Sequence, residues 1–256
     1  MVMQDILARR LSNFAPLEGD EAALLARLSA ERPRRVPARA DIAREGDPTQ
    51  VLRIILSGWA CRYRTLEDGR RQILGILLPG DTCDLNNDVL EEMDHSIGSL
   101  TPLHYAELPH ERLARWLDDK PRLARAFWWH MMTTISIQRE WTLNLSRNAF
   151  ERIGNLFCEL FFRLRAVGLN QGNKIEFPVT QIEIGEATGL TPVHVNRTLQ
   201  DMRSEGLIIL KDRVLEIPDI QALERAILYS PAYLHLGRRR PRPPESALLG
   251  QGAGGG

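Results

Sequence analysis

Asn196, Arg197 and Gln200 stand close together, and Thr191, Pro192, Val193 and His194 lead into them. These side chains suit one chemistry, hydrogen bonding to the edges of bases. An arginine fork can chelate guanine O6 and N7, and an asparagine or glutamine amide can pair with adenine. Val193 can meet a thymine methyl. At helical spacing Val193, Arg197, Gln200 and Ser204 share one face, with Asn196 beside them, while Val195, Leu199 and Met202 share the other. Thr191 is a good N-cap, and Pro192 falls at the first helical position, where its missing N–H costs nothing.

Those residues need a scaffold, and the flanking sequence supplies one. Thr180-Gln-Ile-Glu183 has the form of a capping box, so a first helix begins near Gln181. It carries Ile184, small Gly185 and Ala187, and stops at Gly189, which suits a left-handed terminal residue. The spacing predicts helices of about eight and fourteen residues joined by a turn of about three, which is helix-turn-helix spacing. After Gly206, Leu207 to Leu210, the turn Lys211-Asp212-Arg213, and Val214 to Ile217 read as a hairpin. With a short strand over Lys174 to Val179 this makes a winged helix. Thr180 and Gln181 at the first helix start, and Lys211 and Arg213 at the wing tip, are placed to touch phosphate.

The rest of the chain divides into two further regions. Residues 5 to 30 read as two short helices. From Arg34 to Leu108 short strands alternate with turn signals: Val51 to Leu56, Trp59 to Thr65, the Asp68-Gly69 turn, Ile73 to Leu78, Pro79-Gly80-Asp81, Ser96 to Leu100, and His104 to Leu108. That pattern predicts a compact antiparallel barrel or sandwich. Leu113, Trp116 and Leu117 mark a short helix ended by Pro121. Leu123 to Asn148 then reads as one helix on the order of 40 Å long. Its first half is apolar nearly all round, so it wants partners on more than one side. A second copy of the same helix or an ordinary monomer core would satisfy it. Ile153, Leu156, Phe157, Leu160, Phe161 and Leu164 give the next helix, residues 150 to 167, a single apolar face. Gly168 to Asn173 reads as a loop. The tail, residues 237–256, carries Arg238, Arg239, Arg240 and Arg242 among Pro and Gly and reads as disordered.

Composition narrows the function. The 256 residues carry 33 Lys+Arg against 33 Asp+Glu, so any basic face is local. No 18-residue apolar run is present to span a membrane, and the first thirty residues lack a signal core, so a cytoplasmic protein is expected. Three scattered cysteines, Cys61, Cys83 and Cys158, argue against a disulfide framework or a CxxC metal site. No P-loop, G-x-S-x-G or H-E-x-x-H occurs, so no catalytic residue and no metal ligand is nominated, and the chain is not read as an enzyme.

The run TQIEIGEATGLTPVHVNRTLQDMRSEGLI, Thr180 to Ile208, resembles the C-terminal domain of the Crp/Fnr transcription regulators. The stretch GDPTQVLRIILSGWACRYRTLEDGRRQILGILLPGD ahead of it resembles their β-roll, and the resemblance spans residues 15 to 225. It implies an α+β chain: an N-terminal antiparallel β-roll sensor over 1–122, a dimerisation helix over 123–148 and a winged helix-turn-helix over 149–225. Phe127, Met131, Thr134, Gln138 and Trp141 are then the candidate contacts of the dimer helix. The resemblance further implies a homodimer that sets two recognition helices in successive major grooves of a near-palindromic double-stranded DNA site. RNA polymerase and a small-molecule effector are further candidate partners. Thr191 and His194 fall where the family contacts phosphate or base edges, and Arg197 falls on its base-reading arginine. Pro192 and Val193 depart from the family's Arg-Glu pair, so no operator sequence can be borrowed.

The sensor departs further. Cyclic-nucleotide members of the family hold the ribose with a Gly-Glu and the phosphate with an Arg-Ser. The matching residues here are Asp84-Leu85 and His95-Ser96. Leu85 cannot accept from a hydroxyl, Asp84 repels a phosphate, and a histidine is mostly neutral near pH 7. Cyclic AMP is therefore not the expected effector, no cofactor is assigned, and the effector is unknown. No cysteine precedes Cys61, against an iron–sulfur cluster, which wants four thiolates. The competing reading is a ligand-binding or protein-interaction module whose winged helix no longer reads DNA.

Overall fold

A computed structural model of the chain describes residues 6–31, 33–83 and 90–236. Asp84, Leu85 and the arginine-rich tail lie outside the described residues. Two short helices, α1 (Ile6–Ser12) and α2 (Gly19–Ala30), open the chain. Eight strands follow: β1 (Arg34–Val36), β2 (Asp41–Ala43), β3 (Val51–Ser57), β4 (Ala60–Thr65), β5 (Arg71–Leu77), β6 (Thr82–Cys83), β7 (Ser96–Ser99) and β8 (Leu103–Pro109). They form two four-stranded antiparallel sheets with orders β1-β8-β3-β6 and β2-β7-β4-β5.

Strand β3 buries Ile54, Ile55 and Leu56 in succession because both faces of its sheet are covered. Ile42, Ile55, Leu77, Met93, Ile97, Leu103 and Tyr105 fill the space between the sheets. On the outside of the first sheet, Leu52, Ile54, Leu56, Ala106 and Leu108 pack under α1, α2 and the helices that follow the roll. On the outside of the second, Cys61, Ile73 and Ile76 belong to the same core as the C-terminal domain. Leu66 to Arg70 closes β4 onto β5, with Gly69 at φ +82°.

Helix α3 (His110–Asp119) leads to α4 (Pro121–Asn144), which starts on its proline. The helix expected to run to Asn148 stops at Asn144. Asn148 instead caps α5 (Ala149–Arg165): its side chain accepts from the Glu151 N–H, and Glu151 reaches back to the Asn148 N–H. A reciprocal cap of that kind ends one helix and begins the next. Residues Gly168 to Asn173 are not a plain loop, because β9 (Asn170–Gln171) pairs with β10 (Lys174–Glu176). Next come α6 (Gln181–Thr188), α7 (Pro192–Ser204), β11 (Ile209–Lys211), β12 (Val214–Glu216) and α8 (Ile220–Ala226). A 3-10 turn, Pro231–Leu234, closes the described chain against α4 and α5. The wing sheet has the order β11-β12-β10-β9.

Candidate nucleic-acid interface

The interface is built from local signals. Thr180 Oγ1 accepts from the Glu183 N–H at 3.2 Å, and Glu183 Oε2 accepts from the Thr180 N–H at 2.7 Å, so α6 has its reciprocal cap. Gly189 ends it at φ +69°, a conformation costly for other residues. The Leu190 carbonyl oxygen comes within 2.6 Å of where a Cβ on Gly185 would stand, so the turn can close only over a glycine. Thr191 Oγ1 then accepts from the His194 N–H at 3.3 Å and starts α7 on Pro192.

Val195, Leu199 and Met202 are fully buried and join the core of α5 and α6. This fixes which face of α7 looks outward. Val193 is 77% exposed, and His194, Asn196, Arg197, Gln200 and Ser204 are exposed with it. Asn196 Nδ2 donates to Gln181 Oε1 at 3.3 Å, so the two helix starts are tied by the side chains nominated on each. Thr180, Gln181, Thr191 and Pro192 are all exposed on the same helical pair. On the wing, Asp212 and Arg213 have φ of +51° and +59°. Two consecutive positive values make the primed turn that suits a two-residue hairpin. Lys211 belongs to β11 rather than to the turn, and Lys211 and Arg213 are both exposed. The arrangement offers an arginine, two amides and an apolar tip on one rigid face, with cations beside it.

The stripe nominated for the dimer helix is turned away from solvent. Phe127 is 1% exposed and sits in the core under the first sheet. Gln138 Nε2 donates to the Leu74 carbonyl at 3.1 Å, and Trp141 Nε1 donates to Glu159 Oε2 at 2.9 Å. Met131 and Thr134 are half-buried, and the Thr134 hydroxyl donates to the His130 carbonyl. The open stripe lies about one residue further round, on Trp128, Met132 and Ile135 at 62%, 42% and 38% exposure. A helix apolar all round carries two adjacent four-three stripes, and periodicity cannot choose between them. The β5 carbonyl and the buried Glu159 carboxylate made the choice by capturing Gln138 and Trp141.

In the β-roll, His95 Nδ1 lies 2.6 Å from Asp94 Oδ1, and Ser96 Oγ accepts from the Glu45 N–H at 3.0 Å. Cys61, Cys83 and Cys158 are all buried. Burial pushes the Cys61 thiol up to about 12, against the pull of Arg71, which disfavours a thiolate. Among the described residues no group of His, Cys, Asp or Glu comes together to hold a metal ion.

A buried ionic cluster joins residues that the sequence reading did not bring together. Arg10, Asp81, Glu159 and Arg163 are each nearly inaccessible to solvent. Burial pushes the Asp81 carboxyl up, but Arg10 and Arg163 outweigh it and hold it at about 2. Burial raises Glu159, with Arg163, Trp141 and Tyr233 opposing the rise. The signal that could have found the cluster is charge inside apolar helical faces, Arg10 on α1 and Glu159 and Arg163 on α5.

Comparison with known proteins follows this geometry. Residues 151–226 match the family model described as a Crp-like helix-turn-helix domain, and residues 33–120 match the cyclic nucleotide-binding domain. A probable transcriptional activator of Rhizobium leguminosarum bv. viciae is 26% identical over 195 residues, 76% of this chain and 80% of that protein. The CRP-like cAMP-activated global transcriptional regulator of Mycobacterium tuberculosis is 25% identical over 228 residues, 87% of this chain and 99% of its own. The structure of FixK2 from Bradyrhizobium japonicum superposes with a TM-score of 0.67 at 22% identity, covering 75% of this chain and 95% of that one.

Proposed function

The chain belongs to the Crp/Fnr family of transcription regulators, and on that premise we propose that it reads a near-palindromic DNA site as a homodimer through α7, with a β-roll that answers to something other than cyclic AMP. The observation that carries the reading is the exposed face of α7, Val193, Asn196, Arg197 and Gln200, held in register from behind by three fully buried side chains. The wing cations supply phosphate contacts that orient the domain without reading sequence. Dimerisation is supported by the open apolar stripe on α4, whose spacing suits a parallel helix pair.

Two observations support the departure from cyclic AMP. Side chains including Met93, Leu103 and Tyr105 fill the inside of the roll. His95 and Ser96, at the positions that would grip a phosphate, are engaged by Asp94 and the Glu45 backbone. The regulator of Mycobacterium tuberculosis is named for cAMP activation, and that ligand is not carried over to this chain. Selection of sites from random duplex DNA, with purified protein, no added ligand and physiological salt, tests the reading. Enrichment of paired half-sites one helical turn apart supports it, and selection of unpaired or no sequences contradicts it. Calorimetric titration with cyclic AMP is expected to show no saturable heat; saturation with one ligand per chain would contradict the sensor part alone.

A further inference from the structure

Helix α5 carries the DNA-reading domain, because α6, α7 and α8 all pack on it. The Arg163 side chain on α5 makes its hydrogen bonds elsewhere. Its guanidinium is buried and points back at the β-roll. Nη2 donates to the Ile76 carbonyl at 3.0 Å and to Asp81 Oδ2 at 2.5 Å, and Nη1 donates to Glu159 Oε1 at 2.8 Å. The Arg163 backbone carbonyl accepts from Arg10 Nη1 at 3.2 Å, and Arg10 Nε lies 3.3 Å from Asp81 Oδ1.

The place where this fork lands matters. Strand β5 is at the edge of its sheet, so its outward carbonyls have no strand partner. Two of them, two residues apart, are taken by different helices: Leu74 by Gln138 of α4, and Ile76 by Arg163 of α5. One strand edge therefore registers the dimer helix against the helix that carries the reading domain. The apolar contact around it, Ile73 and Ile76 against the C-terminal core, is non-directional and tolerates sliding. A planar guanidinium with several partners does not. Buried ion pairs are weak contributors to net stability, so stability alone does not account for placing four charges here.

We propose that Arg163 is a positioning residue for DNA reading: beside the Trp141–Glu159 and Gln72–Glu186 hydrogen bonds, it holds the rotation of α7 relative to α4 and thereby the half-site spacing that the dimer accepts. The proposal rests on the dimeric-reader reading above. With 10–10.5 base pairs per turn, adding one base pair rotates a half-site by about 35° and moves it about 3.4 Å. A rigidly held domain cannot follow that change, and a loosened one can.

The test measures affinity for the selected site and for versions with one base pair added or removed between half-sites. Wild type, Arg163→Met, Arg163→Lys and Leu113→Ala are compared, with melting temperature recorded for each. Leu113 is a buried residue of α3 in the core under the first sheet, apart from the cluster that holds Ile73 and Ile76, and serves as the stability control. Arg163→Lys keeps the charge balance, and so a foldable protein, but a single ammonium cannot hold all three partners in one plane. Wild type and Leu113→Ala are expected to discriminate against the altered spacings by about tenfold or more, and both Arg163 variants by about threefold or less. Arg163 variants that keep the wild-type spacing preference while melting earlier would make the residue merely structural and overturn the proposal. Should Arg163→Met not fold, Arg163→Lys decides alone. A wild-type protein that selects no paired site overturns the dimeric-reader reading and this inference with it.

Discussion

At the scale of single residues, the account rests on Arg197 and its neighbours. A bidentate arginine–guanine contact is worth roughly 1–3 kcal/mol of discrimination. Arg197→Ala is expected to weaken binding to a selected site by that amount and to relax preference at one base pair, leaving random duplex DNA bound nearly as before. Equal loss on both duplexes would show a phosphate contact. His130 supports a second prediction. Its ring is buried, accepts from the Thr82 N–H at Nε2, and is pulled down to about 4 by burial, which Asp81 opposes and Arg10 and Arg163 reinforce. The unfolded chain takes this proton near pH 6.5, the folded one only near 4. Neutral His130 therefore contributes stability that is fully present above 6.5 and lost as pH falls toward 4, roughly 3 kcal/mol in all. Glu159, raised by burial, acts in the opposite sense above 4.5, and the Asp81 contribution is lost only between 3.8 and about 2. The difference between wild type and His130→Gln isolates the histidine. Denaturant melts at pH 7 and 4.5 should show wild type losing more stability than the variant, and parallel losses would contradict the assignment.

At the scale of elements, what could be read from the chain depended on whether a signal was local. Thr180-x-x-Glu183, Gly189, Thr191-Pro192 and the hairpin after Gly206 each specify their own backbone within a few residues, and the helix pair and wing follow them closely. Strands β3, β4, β5, β7 and β8 of the roll were visible for the same reason, since each is bounded by its own turn, whereas β1, β2 and β6, two or three residues long, carry too few residues to show a pattern. The outward face of α4 was not visible. The first half of its sequence is apolar nearly all round, and the choice of face came from a carbonyl on β5 and a carboxylate on α5, distant in the chain. The end of α4 was misplaced because Asn148-x-x-Glu151 is itself a capping box that had been absorbed into the helix. The local signals carry measurable energy. Thr191→Ala removes the cap that accepts from the His194 N–H and should cost about 1 kcal/mol in unfolding free energy. A change below a few tenths would mean that the cap does not hold the start of α7.

At the scale of the whole molecule, the two sheets of the roll are used differently. One face meets α1, α2, α3 and α4, and the other meets the helix-turn-helix domain, so the roll and that domain share a continuous core rather than a linker. Any change in the roll that moves β5 must be felt by α4 and α5 together. On α4 the stripe Trp128, Met132 and Ile135 is left exposed. Ile135→Glu places a charge where a second copy would bury apolar surface, while its exposure spares the monomer fold. Analytical ultracentrifugation should show wild type as a dimer and Ile135→Glu shifted toward monomer with an unchanged melting transition of the reading domain. A wild-type monomer at tens of micromolar would contradict the dimer.

The central claim is that two copies of α7 lie in major grooves one turn apart, and methylation protection of guanine N7 on a selected duplex tests it most directly. The account predicts two protected patches on one face of the duplex, centred about one helical turn apart and lost together in Arg197→Ala. Protection that is continuous and independent of sequence, or absent at guanine N7 although the duplex is bound, would contradict it.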